Sequence, residues 1–283
     1  MREIDTSEVI TAVKKMCIEA NYSLSKDVIE KIENSYKEEE WPIAHNILGK
    51  ILENIEIAKN DQVPVCQDTG MACIFVEIGQ EVHITGGSLE DAINEGVRQG
   101  YKEGYLRKSV VTDPLKRVNS GDNTPAVINY KLVSGEVLKI KVSPKGFGSE
   151  NMSQIKMLKP SDGIEGVKRF IMQVVKDAGP NPCPPIVVGV GIGGTFDRVA
   201  YLAKCALIRP FDERNPDPFY KDLEDSLLKE INLLGIGPQG LGGKTTALAV
   251  NIETYPTHIA GLPVAVNINC HVTRHAETIF WGI

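Results

Sequence analysis

The stretch "PIVVGVGIGG", residues 185–194, decides the fold. It is a β-branched apolar run, and it feeds directly into "TFDRVAYLAKCALI", which carries apolar residues at helical spacing. A buried strand followed by a helix places the chain among proteins that mix helices with sheets. The glycines invite a sharper reading, because "GVGIGG" at 189–194 fits the G-x-G-x-x-G pattern that seats a pyrophosphate on a helix N-terminus. A dinucleotide fold needs a second parallel strand ending in an acidic residue roughly 20 positions further on. Here residues 209–218 read "RPFDERNPDP", a loop. The glycines are therefore read as close strand-to-helix packing, with a nucleotide-binding redox module as the competing class.

Outward from this strand the pattern alternates. Residues 7–60 hold apolar positions at helical spacing, and Thr6 or Ser7 is the expected cap. From Ala72 onward short β-rich runs take over: "ACIFVEIG", "EVHIT", "AVINYKLV" and "VLKIKVSPKG", the last two joined by Val133–Glu136 as an expected hairpin turn. Helices are expected over 89–106, over 162–179 with Gly179 and Pro180 as the stop, and across "PFYKDLEDSLLKEINLLG". A last strand, "PVAVNINC", ends on Cys270. The fold class is α/β of the mixed α+β kind, with a helical N-terminal region (1–62) packed on a mixed-sheet core with flanking helices. No repeat, low-complexity tract or linker interrupts it, so residues 1–283 are expected to form a single domain.

Composition narrows the partners. With 42% hydrophobic and 24% charged residues the chain can bury a substantial core. A net charge of −6 offers no diffuse positive field for nucleic acid or an anionic membrane. No signal-peptide or membrane-length apolar run is present, so a cytoplasmic location is expected.

Six cysteines in such a chain point to buried thiols, ligands or nucleophiles rather than a disulfide framework. Cys17, Cys73 and Cys205 sit in amphipathic or alternating surroundings that suit small core residues. Cys66, Cys183 and Cys270 stand where elements meet loops, the usual place for active-site groups. They are 117 and 87 residues apart, which excludes a local zinc or ferredoxin motif. Assembled by the fold, three thiolates leave one corner of a tetrahedral metal, or one iron of a cubane, open to substrate; the local alternative is three thiols satisfied by packing. "GPQGLGGKTT" at 237–246 resembles a phosphate loop but puts Pro238 where the first glycine is needed, with no strand before it.

Five stretches, "LRKSVVTDPL", "VPVCQDTGMACIFVEIG", "SPKGFGSENMS", "NPCPPIVVGVGIGGT" and "GIGPQGLGGKTTALAVNIETYPTHIAGLPVAVNINCH", together resemble the α subunit, or N-terminal domain, of the iron–sulfur (class I) fumarate hydratases and L-tartrate dehydratases. The likeness runs from about residue 5 to the end, in order and spacing. It implies a 4Fe-4S cluster held by Cys66, Cys183 and Cys270 with one iron open as a Lewis acid, and substrate contacts from Gln67, Asp68, Arg107 and His258. Asp68 and His258 are the implied catalytic groups. The local alternatives are an Asx-turn for Asp68, a solvated helix-end charge for Arg107 and a merely hydrogen-bonded loop residue for His258. Gly146 and Gly148 would let main-chain N–H groups approach a substrate, against an ordinary bend. Lys145, Lys244 and Arg274 are weaker candidates, and His271 is read as structural.

The implied reaction is reversible hydration of fumarate to L-malate, a small dicarboxylate, without electron transfer; dehydration of L(+)-tartrate to oxaloacetate is the alternative. Single-chain relatives continue into a second domain that this sequence lacks. A separate β subunit is therefore expected to complete the active site, with αβ pairs associating further into a homo-oligomer.

Overall fold

The computed structural model describes residues 2–281. In chain order the elements are β1 (Arg2–Asp5), α1 (Thr6–Tyr22), α2 (Lys26–Glu38), α3 (Pro42–Asp61), β2 (Met71–Gly79), β3 (Val82–Thr85), α4 (Leu89–Glu103), β4 (Val127–Val133) and β5 (Val137–Lys145). They continue with α5 (Phe147–Glu150), β6 (Gln154–Leu158), α6 (Gly163–Ala178), β7 (Ile186–Gly193), α7 (Phe196–Ala206), α8 (Pro218–Asn232), β8 (Ala247–Tyr255), β9 (Leu262–Asn269) and β10 (Ala276–Trp281). The helices and mixed sheets bear out the mixed α/β reading. Contacts divide the chain into two compact units, one of residues 1–24, 55–147 and 274–283, the other of 25–54 and 148–273.

The first unit is built on a four-stranded sheet in the order β10-β5-β2-β4. β2 lies inside it, antiparallel to β5 and parallel to β4, and its run Ala72–Val76 is buried. The Val133–Glu136 turn is therefore no hairpin: it carries the chain from β4 across the end of β2 to β5 on the other side. Gly79 makes that crossing feasible, since a Cβ there would lie 2.3 Å from the Gly135 carbonyl oxygen. The reason β2 wins the central position is apolarity, because no residue of β4 is buried and most are exposed, which suits an edge. Packed against this sheet are Val9, Val13 and Cys17 of α1 and Ile93, Val97 and Tyr101 of α4. The cap of α1 is Asp5, whose side chain accepts from Ser7 N–H at 2.8 Å, rather than Thr6 or Ser7. Four strands, β1, β6, β8 and β10, were not among those expected from the sequence. β1 is short and pairs parallel with β3, and β10 follows Cys270 to pair with β5.

The second unit holds the sheet β6-β9-β7-β8. Every residue of β7 is buried, as a central strand with apolar cover on both faces requires. Its glycines admit α7: a Cβ on Gly189 would lie 2.3 Å from the Ala203 carbonyl, and one on Gly191 2.2 Å from the Val199 carbonyl. The glycine run is thus a packing surface. Among the described residues no helix is long and apolar enough to cross a membrane.

Replacing Gly191 with alanine should force α7 off β7 and lower unfolding stability by about 3 kcal/mol, read as a shift of the urea midpoint.

Candidate active site

Strand register gathers the first unit's loops at one end of its sheet. β2 and β4 run parallel, so the segments before each lie together, and antiparallel β5 ends where they begin, with Met71 opposite Lys145. β10 starts at the same end, Ala276 opposite Val142. Cys66–Gly70, Asn123, Gly146 and Arg274 therefore meet there for topological reasons.

The Cys66–Gly70 segment is held by donors from several sides. The Asp68 carbonyl accepts from the Arg274 guanidinium. The Thr69 carbonyl accepts from Tyr101 Oη at 2.8 Å, and the Gly70 carbonyl from Tyr101 at 3.1 Å and Asn123 Nδ2 at 3.2 Å. Tyr101 is buried, which raises its phenol pKa and keeps the donor proton in place. The Asp68 carboxylate accepts from Gly70 N–H at 3.0 Å and from Phe147 N–H at 2.9 Å. The Asx-turn foreseen as the local alternative is thus real, and it also fixes the carboxylate's direction. A Cβ at Gly146 would stand 3.2 Å from Asp68 Oδ2, so this glycine makes room for the carboxylate itself. Cys66 Sγ lies 3.5 Å from Gln67 Oε1, and the Gln67 side chain is exposed.

Arg107 joins through its main chain. Thr69 Oγ1 accepts from Arg107 N–H at 2.9 Å and donates to its carbonyl at 3.2 Å, while the Arg107 residue stays exposed. Behind it Asn123, fully buried, accepts from Ser109 and Val110 N–H and ties the loop to Gly70.

In the second unit, register again decides. Val187 pairs with Asn269, so Cys183, just before β7, and Cys270, just after β9, lie at one end of that sheet. His271 fastens them: its N–H donates to the Cys183 carbonyl at 3.4 Å and its Nδ1 donates to the same oxygen at 2.9 Å. The glycine-rich 237–243 loop supports this turn, with Gln239 N–H and Nε2 both donating to the Pro184 carbonyl at 2.9 Å. Lys244, the would-be phosphate-loop lysine, is committed to Glu40 at 2.7 Å and to the Glu38 carbonyl. Gly148 has only the Asn181 carbonyl near its missing side chain, at 3.9 Å.

His258 stands apart. It is exposed on the β8–β9 loop, and that loop lies beside Gly194, where Thr257 donates to the Gly194 carbonyl. Cys270 is at the other end of β9, whose eight residues span about 25 Å. Nδ1 of His258 accepts from Ala260 N–H at 3.2 Å, so the neutral ring carries its proton on Nε2 as an outward donor.

The donors fit a thiolate-held cluster by chemistry and access. Cys66 and Cys270 are half-buried and Cys183 is exposed, whereas Cys17 and Cys73 are buried in the core and Cys205 is half-buried; none is in a disulfide. The Cys183 backbone takes φ 54°, an uncommon setting for a non-glycine residue, held by its N–H on the Pro180 carbonyl. Among the described residues no three His, Cys, Asp or Glu side chains crowd a single metal-ion position. A cubane's cysteines bind separate irons, so such crowding is not what a cluster asks of them. Tyr101, Thr69 and Asn123 went unread in the sequence, since each acts through a main-chain group far along the chain.

Each mixed sheet thus has a thiol-bearing end, with an oriented carboxylate beside the first. Residues 10–279 match the family described as "Fumarate hydratase (Fumerase)", and the chain belongs to that family. A protein of Methanocaldococcus jannaschii, provisionally named an L(+)-tartrate dehydratase α subunit, is 45% identical over 275 residues, 95% of this chain and 96% of its own. The L(+)-tartrate dehydratase α subunits of Escherichia coli K12 and Shigella sonnei are 31% identical over 264 residues, 90% of this chain and 86% of theirs.

Burial pushes the Cys17 thiol up to about 12, so alkylation of the folded, cluster-free chain at mildly alkaline pH should modify Cys66, Cys183 and Cys270 and spare Cys17 until denaturant is added. Peptide mass mapping checks the order.

Proposed function

We propose that the chain is the α subunit of a cytoplasmic iron–sulfur hydro-lyase that reversibly hydrates fumarate to L-malate. The observation that carries this reading is the pinned Cys66–Gln67–Asp68 segment, whose carboxylate is aimed by two main-chain N–H groups and whose neighbour Thr69 locks Arg107 alongside. Cys66, Cys183 and Cys270 would hold the 4Fe-4S cluster. When bound, the cluster supplies a Lewis-acidic iron free of protein ligands, which polarises the C–O bond of the hydroxy acid.

The remaining work falls to side chains. Arg107 pairs a substrate carboxylate in bidentate fashion, and Gln67 adds a hydrogen bond beside it. Asp68 holds the position from which a proton is exchanged at the carbon adjacent to the hydroxyl-bearing one. Addition of one proton and one hydroxide across the double bond balances the reaction with no electron acceptor. A β subunit supplies the rest of the pocket, which is why the α chain alone is expected to be inactive.

Strand register bears on His258 as well. If Cys183 and Cys270 hold the cluster, a substrate there is too far along β9 for the His258 of the same chain. His258 then donates from Nε2 to a substrate bound by a second α copy, within a dimer of αβ pairs.

The second reading, L(+)-tartrate as substrate, is favoured by the relatives' names. One hydroxyl separates the two substrates, and 31–45% identity leaves room for a few side chains to decide between them.

Anaerobic reconstitution with iron and sulfide, with the β subunit present, should yield turnover of fumarate and L-malate above that of either tartrate enantiomer. Serine at Cys66, Cys183 or Cys270 should abolish both cluster and turnover; a full cluster in any of the three variants would sink the ligand assignment. Co-expressing Asp68→Ala and His258→Ala chains, each inactive alone, should restore about a quarter of the wild-type rate if subunits mix at random in dimers. No restoration would overturn the assignment of His258 to the site of a second copy.

A further inference from the structure

Arg274 follows Cys270 by four residues and is 4% exposed. Its guanidinium donates to the Asp68 carbonyl, its Nε is buried without a partner, and no carboxylate pairs with it among the described residues. Its own carbonyl accepts from Ser143 Oγ on β5, so the main chain that carries it is fixed. Burying a guanidinium without a counter-charge costs several kcal/mol. Capping a carbonyl does not require that cost: the next two carbonyls in the same segment are served by the neutral donors Tyr101 and Asn123. The charge must matter at this one position. The segment it touches carries a cysteine and a carboxylate side by side, and under the proposed function a dianionic substrate is added to them.

We infer that Arg274 is a positioning residue, holding the Asp68 main chain so that the carboxylate keeps its bonds to Gly70 and Phe147, and contributing a fixed cation under a site that collects negative charge. The inference rests on the reading of Asp68 as a substrate-facing group. It gives a defined role to a residue that ranks in the sequence only as a weaker candidate.

The test pairs two readouts. Hydrogen exchange of the Gly70 and Phe147 amides is followed in the full α chain without cluster, and kcat and KM are measured in the reconstituted αβ enzyme. Arg274→Met should speed exchange at both amides at least tenfold, and should lower kcat by about 10- to 100-fold while KM moves less than about threefold. Arg274→Lys, which keeps the charge and one donor, should recover part of both effects. Lys176→Gln, an exposed charge loss on α6, should change neither. A folded Arg274→Met chain with unchanged exchange overturns the inference, whatever its activity. If the methionine variant does not fold, the lysine variant decides by the same readouts. Failure of both to fold would assign Arg274 to stability and also overturn it. Should the wild-type αβ enzyme turn over neither diacid, the proposed function fails, yet the exchange data still judge what Arg274 does to Asp68.

Discussion

Three consecutive carbonyl oxygens, those of Asp68, Thr69 and Gly70, lie just outside β2, and each takes a side-chain donor from elsewhere in the chain. A buried main-chain acceptor left without a donor costs free energy comparable to a lost hydrogen bond, so these partners are close to obligatory. Meeting that requirement draws α4, the 107–123 loop and the approach to β10 onto one short segment. The direction of the Asp68 carboxylate and the place of Arg107 follow from it.

The two sheets solve the same problem by the same topology. In each, a central strand is flanked by one parallel and one antiparallel neighbour, so loops before two strands and after a third collect at one end. Cys66 stands at that end of the first sheet, Cys183 and Cys270 at that end of the second. The glycines of β7 serve this arrangement indirectly: by letting α7 lie against the strand backbone they keep the strand that follows Cys183 buried. The G-x-G-x-x-G pattern opens its helix at the opposite end of the sheet, away from the cysteines.

Much of this was legible in the sequence because apolar periodicity and cysteine context are local signals. α4, α6, α7, α8 and the strands β2, β5, β7 and β9 carry them, as do the three loop-edge cysteines against core Cys17 and Cys73. What could not be read was pairing. "AVINYKLV" and "VLKIKVSPKG" with a Gly135 turn between them look like a hairpin to any local rule, and only the greater apolarity of β2 inserts a strand between them. β10 escaped because its alternation is short and follows directly on the Cys270 loop. Tyr101, Thr69 and Asn123 escaped, and Arg274 stood only as a weaker candidate, for another reason: they bond main-chain atoms, and a main-chain partner leaves no mark on the residue types of the segment it holds. His258 was legible as a histidine but not as one facing away from the cysteines of its own sheet.

The Thr69 hydroxyl bonds Arg107 twice, accepting from its N–H and donating to its carbonyl, and both bonds are to the Arg107 main chain. The position of residue 107 is therefore set without reference to what its side chain is. Main-chain position and side-chain identity are uncoupled at this point: the loop would arrive in the same place with another residue at 107, so a substitution there changes the surface without moving the frame.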